Sequence, residues 1–345
     1  MIAKLKNNSA DSVKALFKFL DDASLYFHYL ENEQVVIIPK SNDISLIKDF
    51  EVVETIYPID TPFQLASNIW KKTTTIDFSD FTIGANNFNI IAGPCSVENE
   101  EQIFKTAEFL SKIGVGLIRG GAFKPRTSPY SFRGLGVDGL KILKQAAKQY
   151  NLKIVTEILD LSMLDDVYQY ADVLQVGSRN MQNFYMLNEL GKIEKPVLLK
   201  RGMTARVYEW LLAAEYILSG GNEQVILCER GIRSFDPQSR NVFDLGAISL
   251  IKELSHLPII ADPSHGTGAS SRVLPMSLAA AATGADGLII EIHPEPSKAL
   301  SDKEQALNFT EFEDLIVKLG NLIPNLPYNK TFTLPNKSIL NFQSI

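Results

Sequence analysis

The chain is poor in cysteine, with only Cys95 and Cys228 among 345 residues. Two thiols are too few for a disulfide framework. No uncharged apolar run reaches the ~18 residues that a membrane-spanning helix needs. The first residues, MIAKLKNNSADSVK, contain no apolar stretch of signal-peptide length, so the chain reads as cytoplasmic. Excess positive charge is also missing. Lys and Arg number 34 against 40 Asp and Glu, for a net charge of −6. That balance argues against a general nucleic-acid binder and predicts no membrane partner. Cationic clusters in an acidic protein therefore read as local ligand sites.

What is present is ordinary for a globular protein: 45% hydrophobic and 21% charged residues. The length allows one large domain and a small one. Residues 1–60 read as a small α+β unit. MIAKLK is strand-like, and Ala10 to Ala23 carries Val13, Leu16, Phe17 and Leu20 at helical spacing. SLYFHYL and QVVIIP form a strand pair, Ile44 to Phe50 a short amphipathic helix, and VVETIYPI a last strand. This βαββαβ order predicts a ferredoxin-like module. His28, within an aromatic strand, reads as structural. Residues 61–87 form a connector, with a hairpin around the Gly84-Ala85-Asn86-Asn87 turn.

From Phe88 onward, strand and helix patterns alternate. The strand-like runs are NIIAGP, VGLIRG, LKIVTEI, DVLQVG, PVLLKRG, QVILCERG, LPIIADP and GLIIEIH. Helical patterns such as Glu98–Ile113, Leu140–Tyr150, Ser162–Ala171, Arg206–Leu218 and Thr310–Leu319 lie between and after them. Eight repeats over residues 88–322 predict an α/β fold, a (β/α)8 TIM barrel, with a doubly wound open sheet as the alternative. Residues 323–345 are rich in Pro and Asn, lack helical periodicity, and read as an extended tail without assigned function.

A barrel places its chemistry at the C-terminal strand ends, and the informative residues fall there. The second strand runs into RGGAFKPRTSPYSF, Arg119 to Phe132. This loop holds Arg119, Lys124 and Arg126, has glycines that permit close approach, and is stiffened by Pro125 and Pro129. Other strands end at Cys95, Arg179, Lys200 with Arg201, Cys228 with Arg230 and Arg233, Asp262 with His265, and Glu291 with His293. Asp302 follows in the last loop.

Two groupings result. Cys95, His265, Glu291 and Asp302 offer sulfur, nitrogen and oxygen donors suited to a divalent Mn²⁺, Fe²⁺, Co²⁺ or Zn²⁺ ion. Arg119, Lys124, Arg126, Arg179, Lys200 and Arg230 could hold more than one anion, such as two phosphates and a carboxylate. Taken singly, each ligand candidate also has a structural role open to it, and scattered surface ion pairs would explain the cations. Cys228, in an apolar strand, reads as core, and His293 as structural.

At IIAGPCSVE, RGGAFKPRTSPYSF, VLLKRG, ILCERGIR, DPSHGTG and EIHPEP the sequence resembles the 3-deoxy-7-phosphoheptulonate (DAHP) synthases, closely the type I-beta branch. The resemblance runs over about residues 1–320. It implies a metal-dependent, aldol-type condensation of phosphoenolpyruvate with erythrose 4-phosphate, the first step of the shikimate pathway. Cys95, His265, Glu291 and Asp302 fall at the family's metal ligands. Arg119, Lys124, Arg179, Lys200 and Arg230 fall at its phosphoenolpyruvate-binding positions, and Lys124, Pro125, Arg126 and Thr127 where it holds the sugar phosphate. Lys124 is expected to deliver a proton to the forming alkoxide, with a metal-bound water as the alternative source. The resemblance further implies a homotetramer and an N-terminal regulatory module inhibited by phenylalanine or tyrosine. The rival within the same chemistry is 3-deoxy-octulosonate 8-phosphate synthase, which typically carries a Lys-Ala-Asn-Arg-Ser segment where this chain has Lys124-Pro125-Arg126-Thr127-Ser128. A catalytically silent barrel kept for regulation is the alternative of another class.

Overall fold

The computed structural model describes residues 1–6, 10–39, 41–126 and 128–335. The chain opens with β1 (Ile2–Leu5), α1 (Ala10–Asp22), β2 (His28–Leu30), β3 (Val35–Ile37) and β4 (Val53–Tyr57). These strands form an antiparallel sheet in the order β2-β3-β1-β4. Leu16 and Leu20 of α1 pack with Leu5, Val36, Ile38 and Val52 in a separate small core. The sheet holds fewer regular elements than the sequence pattern predicts. Ile44 to Phe50 is not an amphipathic helix but a 3-10 turn, Ile44–Leu46, whose start is capped by the Asp43 carboxylate. Only three residues of SLYFHYL, His28–Leu30, pair as a strand.

A hairpin follows, with β5 (Thr75–Asp77) antiparallel to β6 (Thr82–Gly84), and β6 turns into β7 (Asn87–Gly93). From β7 the chain alternates strand and helix. The strands are β7, β8 (Leu117–Arg119), β9 (Lys153–Ile158), β10 (Val173–Val176), β11 (Val197–Lys200), β12 (Val225–Glu229), β13 (Ile259–Ala261) and β14 (Gly287–Glu291). All neighbours are parallel, and β14 pairs with β7 from Gly287↔Asn89 to Glu291↔Gly93, which closes the barrel. The helices are α2 (Glu100–Ile113), α3 (Val137–Gln149), α4 (Leu164–Tyr170), α5 (Phe184–Leu190), α6 (Val207–Ser219), α7 (Leu245–Leu254), the short α8 (Pro263–Thr267), α9 (Ser270–Ala282) and α10 (Phe309–Leu322). Where the sequence suggests one helix over Ser162–Ala171, a 3-10 turn capped by Asp160 precedes α4. Among the described residues, no helix is long and apolar enough to cross a membrane.

Strand side chains alternate between two faces, and the barrel gives each face its own core. Ile90, Ala92, Ile118, Ile154, Leu174, Leu199, Leu227, Ile259, Leu288 and Ile290 face the helices and join one large apolar cluster. The inner face contributes Ile91, Leu117, Val155, Val173, Leu198, Ile226, Ile260 and Ile289, one from each strand. Ile76, Phe78, Phe81 and Ile83 of the β5–β6 hairpin belong to that inner cluster and plug the N-terminal end. Two residues beyond each inner apolar side chain, toward the C-terminal mouth, stand Gly93, Arg119, Glu157, Gln175, Lys200, Cys228, Asp262 and Glu291. The polar site therefore rests directly on an apolar floor. The tail is anchored at the opposite end, where Thr331 and Phe332 (β15) pair with Asn87 and Phe88.

The connector is tied to the helices by buried polar contacts. Glu215 of α6 accepts hydrogen bonds from the amides of Gln64, Leu65 and Ala66 at 2.7–3.0 Å. His256 sits between Leu65 O, 2.6 Å from Nε2, and Thr74 Oγ1, 2.8 Å from Nδ1. These partners fit a neutral ring, donating from Nε2 and accepting at Nδ1. Burial lowers its pKa from 6.5 to about 4. The folded state thus resists a proton that the unfolded chain accepts below its ordinary pKa, and stability present above that value is lost as pH falls. Between pH 6.5 and 4.5 this residue should cost about 2–3 kcal/mol of unfolding free energy. Urea titrations at several pH values, compared with His256→Gln, check this; the variant should lack that component of the slope.

Candidate active site

The residues at the barrel mouth line a cavity of about 310 Å³. Eight cations reach it: Arg119, Lys124, Arg126, Arg179, Lys200, Arg230, Arg233 and Arg240. Pro125, Glu157, Gln175, His265 and Asp302 complete much of the wall. Thr127, expected at the sugar phosphate, lies outside the described residues. All other residues expected to bind substrate converge here.

The deepest layer is built from buried charge. Arg119 Nη1 meets Glu291 Oε1 at 2.7 Å, and Lys200 Nζ meets Asp262 Oδ2 at 2.6 Å, with all four side chains at most 5% exposed. Burial opposes the charge on each acid, but His265 and Lys200 hold Asp262 well below the usual carboxylate range, and His265 and Arg119 hold Glu291 down as well. Burial likewise works against the Arg119 guanidinium and is outweighed by Glu291 and its neighbours, so its pKa rises. Among the described residues, Arg119 Nε is buried without a hydrogen-bond partner.

His265 is placed by the start of α8. Pro263 occupies the first turn, and the Asp262 side chain caps the helix by accepting from His265 N at 3.0 Å. The same carboxylate faces His265 Nδ1 at 2.8 Å. With Asp262 ionised, Nδ1 is the donor and Nε2 presents a lone pair. Nε2 lies 3.4 Å from Glu291 Oε1 and 3.8 Å from Asp302 Oδ2. Cys95 Sγ is 3.3 Å from Asp302 Oδ2 and 3.1 Å from Ser301 Oγ. Donor atoms of Cys95, Glu291 and Asp302 all lie within 4.8 Å of one another. Burial pushes the Cys95 thiol up to about 12, whereas Asp302 is lowered to about 2, because His265 and Arg240 outweigh its burial. Cys95 after β7, His265 in α8, Glu291 at the end of β14 and Asp302 in the loop beyond it thus form one cluster.

The loop after β8 brings Lys124 back over the first strand. Lys124 Nζ donates to Cys95 O at 3.0 Å, and its backbone amide to Arg133 O at 2.9 Å. Gly121 makes room for this, since a Cβ there would come within 2.8 Å of Lys124 Cδ and 2.9 Å of Cys95 O. The glycine accommodates the lysine stem. Burial works against the ammonium, but Cys95 and Glu157 raise the Lys124 pKa, so it stays charged. Arg126 Nε donates to Phe132 O at 2.8 Å, and its guanidinium reaches Ser301 Oγ.

Several wall residues escape a reading based on strand ends. Glu157 and Gln175 lie inside strands, and only the two-residue step from the inner Val155 and Val173 would have found them. Glu157 presses on Gly177, where a Cβ would lie 2.0 Å from its Oε1. Arg240 meets Asp302 Oδ1 at 3.4 Å and also donates to Gln305, whose amide holds Glu291 Oε2 at 2.6 Å. Of the two residues set aside, Cys228 packs in the inner core. His293 faces Glu98 at 3.5 Å behind the last loop.

Comparison with known proteins bears on what such a site does. The sequence pattern of the DAHP synthetase I family matches residues 66–323. Phospho-2-dehydro-3-deoxyheptonate aldolase of Thermotoga maritima is 44% identical over 329 residues, covering 93% of this chain and 97% of that protein. A crystal structure of the Thermotoga maritima DAHP synthase superposes with a TM-score of 0.77 at 42% identity, covering 94% of this chain and 96% of that one. The 2-dehydro-3-deoxyphosphooctonate aldolase of Francisella philomiragia is more distant, at 32% identity over 72% of this chain and 98% of that protein. A closed eight-stranded barrel, a mouth of cations around a thiol–imidazole–carboxylate cluster, and these similarities lead to one assignment: the chain belongs to the DAHP synthetase I family.

Proposed function

We infer that this chain is a DAHP synthase, which condenses phosphoenolpyruvate with erythrose 4-phosphate and water to give DAHP and phosphate. The observation that carries this reading is the Lys124-Pro125-Arg126 segment in the cavity wall, beside a cation set able to hold several anions. The 44% identity to the Thermotoga maritima aldolase, against 32% to the phosphooctonate enzyme, supports the four-carbon sugar phosphate.

Cys95, His265, Glu291 and Asp302 fit a divalent ion. Ligands about 2.0–2.3 Å from one ion stand roughly 3–4 Å from each other, and the separations of 3.3, 3.4 and 3.8 Å among these donors agree. Mixed donors of this kind suit Mn²⁺, Fe²⁺, Co²⁺ or Zn²⁺. When bound, the ion would supply Lewis acidity to the aldehyde carbonyl. The protein's own residues do the rest. Arg119, Lys200, Arg179 and Arg230 would hold the phosphate and carboxylate of phosphoenolpyruvate, with the unpartnered Arg119 Nε as one donor. Pro125, Arg126 and Thr127 would form the sugar-phosphate end. By offsetting substrate charge, these cations let two anions meet at reacting distance. Lys124, charged and next to Cys95, would donate its proton to the alkoxide formed when C3 of the enolpyruvate attacks the aldehyde. Water then adds at C2 and phosphate leaves.

The N-terminal residues 1–60 are proposed as a ferredoxin-like regulatory module responding to phenylalanine or tyrosine, in a homotetramer. The strand order β2-β3-β1-β4 is that of a split βαβ unit whose second helix has shrunk to a turn. A link to the barrel exists, since His28 Nε2 lies 2.9 Å from Ser219 O.

The purified protein should release phosphate from phosphoenolpyruvate with erythrose 4-phosphate, lose turnover on chelation and regain it with Mn²⁺ or Zn²⁺. Activity only with arabinose 5-phosphate, or full activity after exhaustive chelation, would sink the corresponding part. Asp262→Asn should weaken Mn²⁺ binding about 10- to 100-fold, because the Nδ1 partner that orients His265 is altered. Calorimetry in buffers of different ionisation enthalpy measures this, and should also report a proton released from Cys95, so that affinity rises with pH. Removal of residues 1–60 should abolish inhibition by aromatic amino acids; unchanged inhibition places the effector elsewhere.

A further inference from the structure

Lys200 and Arg230 enter the cavity from the ends of neighbouring strands, β11 and β12. The residues beside them in sequence, Arg201 and Glu229, do not line it. They are buried behind the barrel wall, Arg201 at 4% and Glu229 at 0% exposure. Arg201 Nη1 meets Glu229 Oε2 at 2.9 Å and Asp244 Oδ2 at 2.9 Å. Arg201 Nε donates to Ala205 O at 3.0 Å, and its backbone amide to Cys228 O at 3.0 Å. The other oxygen of Glu229, Oε1, accepts from Gly231 N at 2.6 Å. Asp244 in turn caps α7, accepting from Ala247 N at 3.0 Å. One carboxylate and one guanidinium therefore join the loop after β11, the loop after β12 and the start of a helix.

As a stabilising device this cluster is poorly chosen. Two buried ions lose hydration, and an apolar pair of the same size often does as well or better. An apolar pair has no direction, however, whereas a carboxylate held by an amide and a guanidinium fixes the relative placement of the strand ends. The residues on either side of that fixed point are the ones that turn into the site. Lys200 pairs across the ladder with Cys228, so Arg230 stands two residues further along the adjoining strand. One tetrahedral anion can be gripped by both only if that offset is kept.

We infer that Glu229, acting with Arg201 and Asp244, is a positioning residue that sets the separation of Lys200 and Arg230 and so the grip on the phosphate of phosphoenolpyruvate. The inference rests on the substrate reading given under Proposed function. Glu229→Gln keeps the shape and removes the charge. It should raise KM for phosphoenolpyruvate roughly tenfold or more, since displacements of about 1 Å in a positioned group cost up to about 100-fold. KM for erythrose 4-phosphate should stay within about twofold and kcat within about threefold. Asp244→Asn, which leaves the Arg201–Glu229 contact in place, should shift KM for phosphoenolpyruvate in the same direction by less. Calorimetric titration of inorganic phosphate gives a readout free of turnover and should weaken in parallel. Circular dichroism and gel filtration establish that each variant is folded, and Asp244→Asn carries the test if Glu229→Gln is not. Equal rises in both KM values, or lower thermal stability with phosphate affinity unchanged, would overturn the inference. A wild-type protein that binds phosphate but makes no DAHP counts against the substrate reading alone, and phosphate affinity of the variants still decides the positioning role.

Discussion

Two buried ion pairs, Arg119–Glu291 and Lys200–Asp262, are the interactions on which the site depends. A lone ion at that depth would cost several kcal/mol in lost hydration, and removing one partner of a buried pair typically destabilises by about 3–5 kcal/mol. Here the two pairs are not independent. His265 contacts Asp262 through Nδ1 and approaches Glu291 through Nε2. One imidazole therefore joins the Lys200–Asp262 pair, at the end of β11 and just past β13, to the Arg119–Glu291 pair on β8 and β14. The depressed pKa values of both carboxylates and the raised value of Arg119 are consequences of that closed arrangement. Without closure of β14 onto β7, Arg119 and Glu291 would sit near opposite edges of an open sheet.

The barrel supplies the geometry through strand alternation. An apolar inner residue on each strand, followed two positions later by a polar one, by Gly93 on β7 or by Cys228 on β12, gives a dry floor and a charged ceiling in one step. The hairpin residues Phe78 and Phe81, stacked with centroids 5.1 Å apart, close the floor from below. This apolar layer lies beneath the charged side chains, and a low-dielectric floor strengthens their electrostatic interactions.

This division explains what could be read from the sequence. Parallel strands buried on both faces appear as apolar runs, so eight of them were visible, and cations or metal-type ligands just past their ends drew attention to the mouth. A continuous apolar run does not reveal which side chains face inward. Glu157 in KIVTEI and Gln175 in VLQV therefore carry no signal in the sequence, although each lies one alternation step above an inner valine. Arg240 had no periodic signal, because it belongs to an irregular loop and is defined only by its contacts with Asp302 and Gln305. The missing second helix near Ile44 shows the opposite failure. Its spacing was amphipathic, but so few residues cannot offset helix nucleation, and the chain settled for a capped 3-10 turn.

Charge accounting shows why the site suits two anionic substrates. Of the eight cations at the cavity, Arg119, Lys200 and Arg240 have carboxylate partners within the protein. Lys124, Arg126, Arg179, Arg230 and Arg233 have no carboxylate within 4.0 Å among the described residues. Phosphoenolpyruvate and erythrose 4-phosphate together carry two phosphates and a carboxylate, on the order of four to five negative charges at neutral pH. The protein thus leaves unneutralised about the positive charge that its two substrates bring as negative. A divalent ion held by Cys95, Glu291 and Asp302 would share two of these acids with the cations, since Glu291 also pairs with Arg119 and Asp302 with Arg240. The two inventories therefore meet at Glu291 and Asp302, so the anion end and the metal end of the site are electrostatically coupled rather than independent.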